Sequence, residues 1–250
     1  MRLNIFKNNH AALVATHAAW ALMLGTCLTL VSPGIALAQE VPGGCGSLQL
    51  QWGPFDYRPD KYIPESTYRS HKVLLATVEE AHFTPEVEVL VRGKTGTTAG
   101  GDISYTLVVF PNHHRALIAM AALGQKEKAS TVLGARYSVE CFFRRAVAWR
   151  PDDNIARMIY AKYLAKAMRA GEAEQQLSVV ASQAGDNAFT NNNIGLIYFD
   201  MKNYEKSLVH AHKAYELGLG MPALRDKLKS VGKWSEPAIA PAVQPANNPQ

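Results

Sequence analysis

The sequence predicts an all-α fold: a short α-solenoid of about three helical hairpins, preceded by a helical segment and closed by a capping helix. Three observations lead there. A junction recurs at Pro151, Gly185 and Leu219, in two equal steps, and the same junction chemistry stands at Pro111, one slightly longer step before Pro151. Self-similarity at such a period marks stacked supersecondary units. In the ninth place after three of these junctions come a bulky and then a small residue, Met120-Ala121, Tyr160-Ala161 and Ile194-Gly195. Beyond Leu219, Leu224, Leu228 and Val231 recur at the spacing of an amphipathic helix.

The stretch Met1 to Ala38 reads as a secretory signal peptide and is set apart from the fold. Arg2 and Lys7 form a positive start, Ala11 to Val31 is uncharged and mostly apolar, and Ser32-Pro33-Gly34 breaks it. Ala36-Leu37-Ala38 then supplies small residues around a cleavage point after Ala38. An uncleaved anchor is the rival reading, since Ala11–Val31 approaches spanning length. Lipidation at Cys27 is set aside because Thr26 suits it poorly. The expected location is the periplasm.

Residues 39–250 form the mature chain. Without Arg2 and Lys7 it keeps 24 basic against 21 acidic residues, a net charge of +3. That is far from the basic signature of a nucleic-acid binder, so no nucleic acid is expected as a partner. No further apolar run reaches membrane-spanning length. Cys45 and Cys141 survive cleavage, and an even pair in an oxidising compartment is a candidate disulfide. Two separate buried thiols are the alternative.

The segment 39–111 is expected to be mainly helical. Ser66 or Thr67 caps a helix with an apolar face of Leu74, Leu75, Val78 and Ala81. Thr84-Pro85-Glu86 starts another that stops at Gly93, although the alternation in EVEVLV also suits a strand. DISYTLVVF has strand-like composition but occupies the place of a second helix before the Pro111 junction, and is read as helix.

FPNHHRAL, Phe110 to Leu117, is the turn into the repeats. Pro111 cannot continue a helix, Asn112 is a good N-cap, and His113 and His114 open the next helix. Adjacent helical residues point about 100° apart, so the two histidines do not chelate one ion. The repeats span 112–219. The extra length of the first is placed in the polar stretch Gly124 to Ser130. In the last, Ile194-Gly195, Tyr198, Tyr204 and Ala214 stand at the spacing of a tetratricopeptide repeat, with Ser207 and Ala211 where Ala and Phe are usual. This region resembles that family. GPFDYR and HFTPEVE, with the whole pattern, also resemble a family of uncharacterised exported bacterial repeat proteins, a likeness that implies no activity.

The tetratricopeptide resemblance implies a groove lined by the first helix of each repeat. Carried over by phase, it points to Arg115 and Ile118, then Met158, Lys162 and Lys166, then Phe189, Asn192 and Phe199. Lys162 and Lys166 are i, i+4 neighbours able to converge on one anionic group. The implied partner is a protein or peptide with a carboxylate or acidic side chains. A capping helix over 220–234 should cover the apolar end of the array, and the Pro/Ala-rich 235–250 should be disordered.

Chemical motifs are sparse. Gly93-Lys94-Thr95 lacks the glycine that a phosphate loop carries five residues earlier, where Glu88 stands. His210 and His212 lie about 200° apart on one helix. His82 with Glu79, Glu80 and Glu86 offers the one acid/base or metal cluster. It supports the alternative function, a hydrolase or metal-dependent enzyme using residues 45–110. No catalytic motif, metal site or cofactor is otherwise implied, and a binding or scaffold protein is the expected class. The first prediction concerns export: intact-mass measurement of protein recovered from the envelope should give a chain beginning at Gln39, and a mature chain retaining Trp20 would refute the signal peptide.

Overall fold

The computed structural model describes residues 40–49, 52–58, 65–95 and 98–237, with 65–69 as backbone only. The chain divides into two units, Met1–Ala36 and Leu37–Gln250. The expected signal peptide with its cleavage point, and the tail from 238 onward, lie outside the described residues, which all belong to the second unit.

The described residues are all-α, with ten helices and a single isolated bridge, Glu40 to Ser47. The helices are α1 Glu65–His82, α2 Pro85–Glu88, α3 Ala99–Val109, α4 His114–Glu127 and α5 Val139–Trp149. They continue as α6 Asn154–Lys166, α7 Ala170–Ala184, α8 Ala188–Asp200, α9 Tyr204–Glu216 and α10 Ala223–Ser230. Three hairpins, α4–α5, α6–α7 and α8–α9, stack in order, so that α4 touches α6 and α6 touches α8. α3 packs on α4 at one end, and α10 on α8 and α9 at the other.

Local chemistry sets the period. The first helices of the hairpins begin at caps His113, Asp153 and Asn187, whose side chains accept backbone N–H groups of the first turn. Each is followed by a left-handed residue, Lys128, Met168 or Lys202, with φ of 52°, 61° and 62°, which reverses the chain into the second helix or the loop before it. Caps and turns keep the same register: the step from His113 to Asp153 equals that from Lys128 to Met168, and the step from Asp153 to Asn187 equals that from Met168 to Lys202. Small residues set the approach distance. A Cβ on Gly195 would lie 2.6 Å from Leu224 Cδ2 and 3.2 Å from the Ser207 carbonyl oxygen. The buried Ser207 hydroxyl donates to the Gly195 carbonyl at 2.8 Å, which satisfies a polar group that alanine would not bring.

Several local expectations are corrected. Ser66 and Thr67 lie inside α1 rather than at its cap. The helix begun at Pro85 stops at Glu88, not Gly93, because Leu90 adopts φ 61°. Asn112 does not cap α4: His113 does, and Asn112 is taken up by tertiary bonds. The stretch Gly124–Ser130 is not the insertion, since α4 runs to Glu127 and the extra residues form the loop 128–138. Gly124 lies within α4, where Val139 packs closely enough to exclude a side chain: a Cβ would come within 2.8 Å of Val139 Cγ2.

Cys45 and Cys141 are joined in a disulfide, with Cα atoms 5.1 Å apart and a sequence separation of 96. It fastens the segment 40–49 to α5. The fully buried Arg145, one turn along α5, donates to the Cys45 and Ser47 carbonyls at 3.0 and 2.8 Å and lies over the Tyr137 ring. Closing so long a loop stabilises the folded chain by about 4–5 kcal/mol on the chain-entropy model. The double variant Cys45→Ser/Cys141→Ser should therefore unfold at a clearly lower urea midpoint, and unreduced, denatured wild-type protein should show no free thiol. An unchanged midpoint, or two reactive thiols, would contradict this.

Candidate functional site

Stacking the first helices side by side leaves a groove along α4, α6 and α8, with a volume of about 420 Å³. α4 contributes Ile118, Ala121, Ala122 and Gln125. α6 contributes Ile155, Met158, Ile159, Lys162, Tyr163 and Lys166, and α8 adds Asn193, Leu196, Ile197 and Asp200. The groove is mainly apolar and open to water. Ile118 and Ile155 are 55% and 51% exposed, and contiguous apolar surface of this kind marks interaction sites. Lys162, Lys166 and Asp200 are exposed and make no ion pair among the described residues.

Of the residues selected from the sequence, Ile118, Met158, Lys162 and Lys166 line this groove. The other four lie elsewhere. Arg115 is bound to Glu88 and Glu79 and lies over the Phe83 ring. Phe189 is exposed, away from the lining. Asn192 is buried. Phe199 is half-buried against Tyr204, beneath the Lys227 ammonium. On α8 the groove is formed instead by Asn193, Leu196, Ile197 and Asp200. A simple translation would have found three of them: moving Ile159, Lys162 and Lys166 forward by the step from Pro151 to Gly185 gives Asn193, Leu196 and Asp200.

The two histidines of FPNHHRAL diverge. His113 is fully buried; its Nδ1 accepts the Ala116 N–H, so Nε2 carries the proton and donates to Glu79 at 2.9 Å. His114 donates from Nε2 to Asp153 at 2.9 Å. The Asp153 carboxylate is buried and also accepts the Asn112 amide at 2.8 Å and the Ile155 and Ala156 N–H groups. Burial alone would raise its pKa, but hydrogen bonds from His114, the Ala156 amide and Asn112 outweigh it and hold the carboxyl below its ordinary value. Asn112 bridges to Asp56, whose carboxylate binds Arg58 and Arg150. Tyr57 stacks on His113 with centroids 4.1 Å apart. The GPFDYR segment is thereby clasped across two inter-repeat junctions. Nothing in its own spacing announced this.

His82 is paired differently from the sequence expectation. Its Nδ1 donates to the buried Asp102 at 2.8 Å and its ring stacks on Tyr105, while Glu79 turns to His113 and Arg115. Asp102 also accepts the Lys94 N–H at 2.6 Å. The Gly93-Lys94-Thr95 loop thus folds around a carboxylate of its own chain. No hydrogen bond from a hydroxyl reaches His82 among the described residues. His210 engages Asn191, and His212 donates to the Ser235 carbonyl. Among the described residues no three His, Cys, Asp or Glu side chains converge as a metal cage.

Fold and groove together define a class, an α-helical repeat protein with an open apolar groove. Compared with family models, curated proteins and solved structures, the chain matches none.

His113 makes a pH prediction. Burial, opposed by the Glu79 bond, lowers its pKa below the ordinary 6.5. The unfolded chain binds a proton near that value and the folded chain resists it. The stability carried by neutral His113 is therefore present above about pH 6.5 and declines as the pH falls below it. The thermal midpoint should drop between about pH 7.5 and about pH 5.5. His113→Asn, which keeps a capping side chain, should flatten that dependence. Part of the slope should remain from His210, whose pKa burial also lowers. An equal slope in the variant would exclude His113 as its source.

Proposed function

We propose that the chain is a tetratricopeptide-type scaffold, exported to the periplasm, that holds a segment of a protein or peptide partner in the α4–α6–α8 groove. The supporting observation is the apolar, solvent-open lining flanked by Lys162 and Lys166, two cations without an ion-pair partner among the described residues. Apolar side chains on an extended or helical segment bury Ile118 and Ile155 over the already buried Met158. A carboxylate or acidic side chain on the same segment meets the lysines. Hydrophobic burial supplies affinity, and the lysines supply register and orientation.

The competing enzymatic reading rests on His82. Asp102 orients its imidazole, but no three His, Cys, Asp or Glu side chains form a metal cage there among the described residues. No helix among the described residues is long and apolar enough to cross a membrane.

The test uses fluorescently labelled synthetic peptides on a fixed leucine framework, carrying either aspartate or asparagine at the remaining positions. Wild-type protein should prefer the aspartate peptide, with a preference that weakens as salt rises. The double variant Lys162→Glu/Lys166→Glu should lose about tenfold in affinity for it, the scale of two rim ion pairs of up to about 1 kcal/mol each. Equal binding by wild type and variant, with unchanged circular dichroism, would remove the lysines from the reading.

A further inference from the structure

We propose that Asp200 forms a cation-accepting subsite on the far wall of the groove, so that the occupant carries an acidic group over α6 and a lysine or arginine over α8. This rests on the groove reading and names the charge pattern of its partner. Asp200 stands where the next repeat places its equivalent of Lys166, and it lines the same groove. The repeat therefore presents opposite charges at equivalent points of neighbouring helices.

The place of Asp200 in the groove sets it apart. Glu140 and Glu172 hold Arg169, Glu174 holds Lys206, and Asp186 holds Lys213, while Glu127, Glu205 and Glu216 make no ion pair among the described residues but lie outside the groove lining. Asp200 is exposed and has no such partner among the described residues, Lys162 and Lys166 included. It is also the last residue of α8. There the helix dipole places partial negative charge, even though the Ile197, Tyr198 and Phe199 carbonyls accept the Met201, Asn203 and Lys202 N–H groups, so the helix end favours a cation over a second carboxylate. Helix end and side chain together make that wall the acidic side of the groove, opposite Lys162 and Lys166, with no ion pair holding Asp200 among the described residues.

Geometry sets the spacing of the partner's charges. Packed helices lie about 8–10 Å apart, and an extended chain advances about 3.3 Å per residue. An acid over Lys162 and Lys166 and a base over Asp200 are then about three residues apart. Between them the segment crosses Met158, Ile159 and Ile197, where apolar side chains are favoured.

The experiment compares labelled, end-blocked peptides on one leucine framework. The mixed-charge probes carry glutamate and lysine three residues apart, in either order. A second probe has glutamine for lysine, and a third has glutamate for lysine. Wild-type protein should bind one mixed-charge order about three- to tenfold more tightly than the glutamine probe at low salt. Asp200→Asn should abolish that preference while leaving affinity for the glutamine probe unchanged, and Asp200→Lys should shift preference to the doubly acidic probe. An unaltered ratio in Asp200→Asn would overturn the subsite. So would a lowered thermal midpoint in that variant, which would make Asp200 a structural residue. If wild-type protein bound none of the probes, the groove reading itself would fall first; if Lys162→Glu/Lys166→Glu bound the glutamine probe as tightly as wild type, the lysines and with them the acidic half of the proposed charge pattern would fall.

Discussion

A buried carboxylate, Asp153, organises the junction between the first two hairpins. An isolated charge in that position would cost several kcal/mol, so it persists only because donors surround it. The hydrogen-bond donors come from two amides of α6 itself, the His114 imidazole at the start of α4, and Asn112 in the turn before it, and the Arg58 guanidinium adds an ion pair at 3.5 Å. Capping one helix and docking another are therefore the same event. Through Asn112 the network extends to Asp56, Arg58 and Arg150, which brings the otherwise irregular segment 52–58 onto the array. Removing any one donor leaves a charge that the rest must satisfy.

From that junction the array extends by repetition. Each first helix starts at a polar cap and ends at a left-handed residue, and small residues such as Ala161 and Gly195 let the hairpin helices close. The core forms between the helices of each hairpin and its neighbours, drawing on Leu117, Met120, Phe142, Phe143, Leu164, Leu177 and Ile194. Nothing among the described residues covers the outer side of α4, α6 and α8 along the groove, which explains why isoleucines remain half in water there. Their exposure is a consequence of stacking without a covering layer. At one end α10 buries Leu224 and Leu228 against Ala211 and closes the core. At the other, the disulfide and Arg145 hold the segment 40–49 on α5.

The binding proposal and the energetics of the fold are consistent because they use different side chains. Residues outside the groove lining, such as Glu140, Arg169 and Glu174, take part in ion pairs within the array. The groove charges are not so used. Lys162, Lys166 and Asp200 can therefore engage a partner without giving up a bond that holds the repeats together. An ion pair across the groove would have cancelled this potential.

Much of the architecture was legible in the chain itself. Junctions at Pro111, Pro151 and Gly185, and the bulky-small pairs after them, determine an all-α repeat, because helix breaking and close packing are local requirements written residue by residue. The pairing candidates Cys45 and Cys141 were also legible, as was the i, i+4 relation of Lys162 and Lys166. Tertiary structure alone decided which residues share the groove. On α8 the face turned to the groove is set by packing of Ile194, Gly195 and Tyr198 against the neighbouring helices, and a shift of one residue exchanges Phe199 for Asp200 through about 100° of rotation. The same holds for the histidines. Nothing near His113, His114 or His82 in sequence announces Glu79, Asp153 or Asp102 as its carboxylate, because each partner lies 20 to 39 residues away and is brought within hydrogen-bonding distance only by helices packing on their apolar faces.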